Sequence, residues 1–248
     1  MSRNKQRNKE LSLTSVEGRL SLFLDKNTPD ELLKAIVALG VKPIMLPPYA
    51  RLPSPVACHP DMLLFDMGGK LLMYRDYYEE NQALFDGFSV ALTHHIADTV
   101  YPYDVGMDAL CLGNVVYCKP TYTCSEIIKD RMVVTVKQGY AACSALKVTE
   151  DAIVTADQGI ADAAKKMGVS VLLIRPGYID LPGYDYGFIG GTAFRLFDTM
   201  YFAGDLVLHP DGEAIANFCQ ANGISVCSLV KGMKLKDLGF MKENTTNG

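Results

Sequence analysis

A loose internal repeat constrains this chain more than any other feature. The stretches Gly40-Val41-Lys42-Pro43, Gly87-Phe88-Ser89-Val90, Gly168-Val169-Ser170-Val171 and Gly223-Ile224-Ser225-Val226 each occupy the same place in a 16-residue window, at 31–46, 78–93, 159–174 and 214–229. A weaker fifth window fits at 122–137, with Arg131 where the others carry glycine. The first nine residues of each window read as a helix, whose sixth position is always apolar: Ile36, Ala83, Ile127, Ala164 and Cys219. The glycine then supplies the left-handed backbone that ends a helix. Beyond it apolar residues alternate. Val41, Phe88, Met132, Val169 and Ile224 stand at one position, and Pro43, Val90, Val134, Val171 and Val226 two residues later. Period two means that a strand follows each helix. The first helix also carries a capping-box pattern, Thr28-Pro29-Asp30-Glu31, with proline in its first turn.

Window starts are separated by 47, 44, 37 and 55 residues, long for one strand plus one helix. The surplus reads as hairpins. Met62–Phe65 and Leu71–Tyr74 flank the turn signal Asp66-Met67-Gly68-Gly69; Ala145–Val148 and Ala152–Thr155 flank Thr149-Glu150-Asp151; Phe194–Phe197 and Met200–Phe202 flank Asp198-Thr199. The unit is therefore two strands, a helix and a strand, repeated five times. A doubly wound sheet, which also strings helix–glycine–strand units together, is the competing architecture. The domain reading is a polar tail over 1–18, one domain over 19–232 and a C-terminal tail over 233–248. The Pro-rich stretch Leu46–Pro55 reads as a stiff connection between units.

The net charge of −4 over 248 residues argues against a nucleic-acid surface, and the basic run Arg3–Lys9 reads as a solvated end. No apolar run approaches the roughly 18 residues of a membrane span, and the N-terminus has no signal-peptide core. Seven scattered cysteines without a CxxC pair fit a reduced, cytoplasmic protein with mostly buried thiols. No dinucleotide fingerprint, phosphate loop, zinc-ligand spacing or Gly-x-Ser-x-Gly elbow occurs, so neither cofactor nor metal is expected. Oligomeric state is not legible.

Five ββαβ units around a pseudo-fivefold axis resemble the pentein fold, an α/β propeller. It is the fold of guanidino-group-modifying enzymes such as arginine and agmatine deiminases, dimethylargininases and amidinotransferases, and of the non-catalytic translation-initiation factor six. The stretches Tyr101-Pro102-Tyr103-Asp104-Val105, Gln138-Gly139-Tyr140-Ala141-Ala142-Cys143-Ser144, Thr155-Ala156-Asp157-Gln158-Gly159-Ile160 and Gly187-Phe188-Ile189-Gly190-Gly191 look like an uncharacterised bacterial family with this fold. The resemblance covers roughly 20–230 and implies a small cationic, guanidino-type ligand.

In such a ring the segments leading into each hairpin meet at the axis. Here they are Cys58-His59-Pro60-Asp61, Met107-Asp108, Ala142-Cys143-Ser144 and Gly191-Thr192. A thiolate attacks a guanidinium carbon, an imidazole moves protons, and carboxylates clamp the planar cation. Cys143 is thus the expected nucleophile, His59 the acid/base, and Asp61 and Asp108 substrate ligands. The enzymes of this fold usually place the nucleophile in a last-unit stretch Gly-Gly-x-x-His-Cys-x-Thr. The matching Gly190-Gly191-Thr192-Ala193-Phe194-Arg195 has neither His nor Cys. Cys143 therefore rests on the equivalence of the units, and a non-catalytic binding protein is the alternative. The long loop Arg175–Gly187 is expected to lid the pocket, with Asp180 or Asp185 reaching the ligand. His94-His95 is a candidate for the same axis, whereas His209-Pro210-Asp211 reads as a polar turn.

Overall fold

A computed structural model describes residues 20–240. The first unit is β1 (Ser21–Asp25), α1 (Asp30–Ala38) and β2 (Lys42–Leu46). In the second, a one-turn helix α2 (Pro60–Leu63) leads into β3 (Leu64–Asp66) and β4 (Leu71–Tyr74), followed by α3 (Arg75–Asn81) and β5 (Val90–Thr93). The third has β6 (Leu110–Leu112), β7 (Val115–Cys118), α4 (Ser125–Ile128) and β8 (Met132–Thr135). The fourth has β9 (Ala145–Thr149), β10 (Ala152–Thr155), α5 (Gln158–Lys166) and β11 (Ser170–Leu173). The fifth has β12 (Ala193–Leu196), β13 (Thr199–Phe202), α6 (Gly212–Ala221) and β14 (Ser225–Ser228).

Units two to five share one topology. An antiparallel hairpin is followed by a helical crossover to a third strand, parallel to the middle one. In the first unit β1 and β2 pair in parallel without a hairpin partner. Five separate small sheets exclude the single doubly wound sheet. Hydrophobic clusters join the units in sequence and close the circle. Phe23, Leu72 and Val116 link the first three units. Tyr117 with Ile153 links the third and fourth, and Val154 with Met200 the fourth and fifth. Phe194 and Leu196 return to Leu24 and Leu32 of the first.

All five windows carry the expected helix and strand. Gly40, Gly87, Gly168 and Gly223 adopt φ of 79°, 84°, 83° and 76°. In the third window the left-handed residue is Asp130 (φ 61°), one place before Arg131. The helix there is a single turn, and aspartate tolerates this backbone because its short polar side chain bonds locally. A Cβ added at Gly168 would meet no atom within 4 Å. Gly168→Val is accordingly expected to lose about 1 kcal/mol or more through backbone strain alone, seen as a lower urea midpoint.

Two expectations need correcting. The capping box does not form. Thr28 Oγ1 donates to Asp25 O at 2.7 Å, closing the turn after β1, and no side chain caps α1. The segment 233–240 is not a tail. Leu235, Asp237, Leu238 and Phe240 are buried, and Leu238 and Phe240 pack with the first and fifth units. Burying a phenylalanine is worth about 1.5–3 kcal/mol, so this segment closes the ring rather than trailing from it. The basic run at 3–9 and the rest of both expected tails lie outside the described residues. Among the described residues no helix is long and apolar enough to cross a membrane. Five of the seven free cysteines are buried, Cys111 and Cys227 partly so.

Candidate functional site

Three of the segments that lead into hairpins do converge. Asp108, fully buried just before β6, accepts on Oδ1 from the backbone N–H of Ala142 (2.6 Å) and Cys143 (3.1 Å). That bond fixes the segment before β9 and sets the Cys143 side chain inward, 3% exposed. Its Sγ donates to Asp61 Oδ2 at 3.0 Å. Asp61 lies in the first turn of α2, its own N–H held by Gly239 O at 2.9 Å. The fifth unit joins through Gly190 N–H, which donates to Cys143 O at 2.7 Å. Donor atoms of Asp61, Asp108 and Cys143 lie within 4.8 Å of one another, a grouping that could also hold a metal ion. The three residues come from three units, so no local motif spacing marks them; only the equivalence of the repeated units groups them.

This nest is hostile to an unpaired negative charge. Burial pushes the Cys143 thiol well above its ordinary value near 9.0, and Asp108, Asp61 and Asp237 push it further. Without a cation beside it, the thiol keeps its proton.

His59 is 2% exposed and stands between two carboxylates, Nε2 3.6 Å from Asp25 Oδ2 and Nδ1 3.9 Å from Asp237 Oδ1. These separations exceed a hydrogen bond but leave strong electrostatic contact. Burial raises Asp25 above its usual range, against lowering by Asn27 and His59. Asp237 is anchored by Phe188 N–H (2.8 Å) and Gly239 N–H (3.2 Å).

His59, Cys143 and Asp237 line one cavity of about 230 Å³. Apolar walls come from Val56, Met62, Leu181 and Phe188, with Tyr140, Tyr184, Asp185 and Tyr186 completing it. Tyr140 O–H donates a short hydrogen bond to Asp104, which is 0% exposed. Two stretches that carry the family resemblance, 101–105 and 138–144, thus meet at the wall. Burial raises Asp104, while the Tyr140 bond lowers it.

The loop 175–187 reaches the pocket, but its two aspartates part ways. Asp185 lines it. Asp180 does not: its carboxylate binds Lys236 Nζ at 2.5 Å and its N–H binds Leu235 O at 2.8 Å, holding the C-terminal segment. The assignment of Asp180 to substrate is therefore replaced by a structural one. His94 is exposed, and His95 lies against Tyr74 and Gly106, outside the pocket. His209 accepts from Asp211 N–H at 3.0 Å before α6. Thr192 is buried and its hydroxyl donates to Ile189 O. Asp25, Asp104, Tyr140 and Asp237 were not singled out from the sequence. Asp25 had left a signal, as a carboxylate following the apolar run Leu22–Leu24 in a wholly buried strand.

Solved structures share this architecture. DDAH from Pseudomonas aeruginosa, a mutant complexed with citrulline, matches with TM-score 0.51 and 12% identity, over 85% of this chain and 92% of that one. A dimethylarginine dimethylaminohydrolase adduct with S-methyl-L-thiocitrulline matches at 0.50 and 11%, over 85% and 92%. Agmatine deiminase of C. jejuni matches at 0.50 and 11%, over 92% and 95%. Such identities establish the pentein-like fold and leave activity to other arguments. No curated protein sequence matches the chain. A family model described as a family of unknown function (DUF6873) matches residues 23–241. Nearly the whole described ring falls inside that match, and the chain belongs to this family, on a pentein-like α/β fold.

Proposed function

We propose that the pocket binds a small guanidinium or amidinium cation and that Cys143 attacks its central carbon, making the protein a cysteine-dependent hydrolase or amidinotransferase. One observation carries the reading: a buried thiol 3.0 Å from one carboxylate, with a second tied to its backbone N–H. A planar cation between Asp61 and Asp108 offsets the charge that keeps Cys143 protonated, so thiolate forms only when the substrate is seated. As the cation is seated the Cys143 proton passes to His59, and the thiolate forms a C–S bond to the central carbon. The C–N bond to the leaving group then breaks, and His59 supplies the proton that the departing amine takes. His59 next removes a proton from water, or from an acceptor amine, which displaces the thiolate.

Turnover of simple alkylguanidines and amidines, followed as released ammonia or amine, tests the reading. His59→Ala is expected to lose turnover by about 10²-fold or more. Asp108→Asn keeps an acceptor for the two N–H groups but removes the charge, and is expected to weaken cation binding by about 2 kcal/mol, near 30-fold in Kd. The absence of His and Cys from Gly190–Arg195 favours a second reading, binding without turnover; cation binding with no product from any member of the panel would select it.

A further inference from the structure

Two carboxylates, Asp237 and Asp185, line the otherwise largely apolar and aromatic pocket. Cys143, His59 and Asp237 line it, and Asp61 and Asp108 lie behind Cys143, bonded to its Sγ and its backbone N–H. Tyr140 on the wall has its O–H committed to buried Asp104. At the mouth stands exposed Asp185, and its chain neighbours Tyr184 and Tyr186 line the pocket with it. Its placement is not left to a loose loop. Gly187 N–H donates to Ile179 O at 2.9 Å, closing the base, and Tyr184 N–H donates to Leu181 O at 3.1 Å. Gly183 (φ 98°) lies so near Pro55 that an added Cβ would stand 2.6 Å from its Cγ. Gly187 lies equally near Asp237, 2.5 Å from that side chain's Cβ by the same construction. The loop is thus seated on the linker before α2 and on the C-terminal segment.

A compound whose guanidinium rests on Cys143 must lay its other end at this mouth, since the cavity is only about 230 Å³. There it meets one carboxylate and two phenol rings. Aromatic faces and a carboxylate favour an apolar chain or a second cation. A ligand carboxylate at the same place faces Asp185 with like charge, in a site whose other carboxylates add to the repulsion.

We propose that Asp185 determines specificity by charge. The pocket selects guanidino or amidino compounds whose far end is apolar or cationic, and it rejects those ending in a carboxylate. This rests on the proposed function above and narrows its substrate class to non-acidic guanidines rather than guanidino acids.

A matched pair, butylguanidine and 4-guanidinobutanoate, tests it by titration calorimetry on the full chain, with protection of Cys143 from alkylation as a second readout. The wild type is expected to prefer butylguanidine by about tenfold or more, near 1.4 kcal/mol. Asp185→Asn should bring the preference down several-fold, and Asp185→Lys should move it towards the acid by about tenfold or more. The side chain is exposed, so both variants are expected to fold, and circular dichroism checks that. An unchanged preference in Asp185→Lys, or a wild type that favours the acid, overturns the proposal while leaving the guanidinium site intact. Failure of both compounds to bind or to protect Cys143 removes the guanidinium reading itself, and this proposal with it.

Discussion

Cys143→Ser is expected to abolish turnover of guanidines and amidines, by about 10³-fold or more, with a melting temperature nearly unchanged. The two halves of the expectation have separate causes. Serine is close in size, and its hydroxyl can donate to Asp61 Oδ2 as the thiol does at 3.0 Å, so packing and the buried hydrogen bond survive. The Asp108 bonds to Ala142 and Cys143 use backbone N–H groups and are untouched. Chemistry is different. An alkoxide is far harder to form than a thiolate, and the same carboxylates that push the thiol up oppose it still more. Full activity in the serine variant, measured beside thermal melting, would end the assignment of Cys143 as nucleophile.

Gly191→Ala is expected to destabilise the protein by about 3 kcal/mol, lowering the melting temperature by roughly 6–12 °C. An added Cβ would overlap Asp237 Oδ1 and stand 2.8 Å from its Cγ and 3.1 Å from Gly239 N. Asp237 has nowhere to go. It is buried, its oxygens are held by Phe188 and Gly239 N–H groups, and Gly191 O itself accepts from Leu238 N–H at 3.0 Å. Relief requires prising the C-terminal segment off the fifth unit, which also carries Asp237 away from His59 and Gly239 O away from Asp61. The variant should therefore lose ligand binding as well as stability. A variant as stable as the wild type would show that the 233–240 segment does not brace the ring.

What was legible in the sequence, and what was not, follows from the range of the interactions. Each helix–glycine–strand window is decided by neighbours a few residues apart, so Gly40, Gly87, Gly168 and Gly223 mark their helix ends correctly. Asp61, Asp108 and Cys143 could be grouped because they stand before equivalent hairpins, and equivalence of repeated units predicts convergence without knowledge of any single contact. Asp237 escaped for the opposite reason. Its segment, Lys231–Phe240, is rich in lysine and follows the last strand, and only contacts with units far away in the chain reveal that Leu235, Leu238 and Phe240 are buried. The same blind spot misplaced Asp180. Five residues from Asp185 in one loop, it differs by having Lys236 as a partner, and Lys236 lay in the supposed tail. Thr28 failed as a cap because the β1–α1 turn claims its hydroxyl, a competition between two local bonds that pattern alone does not rank.

The central claim is that Cys143 lies in an acidic nest made for a cation, so that its reactivity depends on the charge of what approaches it. Alkylation by 2-chloroacetamidine and by its neutral analogue 2-chloroacetamide, each normalised to free cysteine and located by peptide mass spectrometry, measures this directly. The thiol is held well above 9.0, so thiolate is scarce at neutral pH, and the neutral reagent should react slowly there and faster as pH rises beyond that value. The cationic reagent brings its own compensating charge and should modify Cys143 at pH 7 about 100-fold faster or more, an advantage that Asp61→Asn and Asp108→Asn reduce. Equal normalised rates for the two reagents at pH 7, or a faster neutral one, would contradict the account.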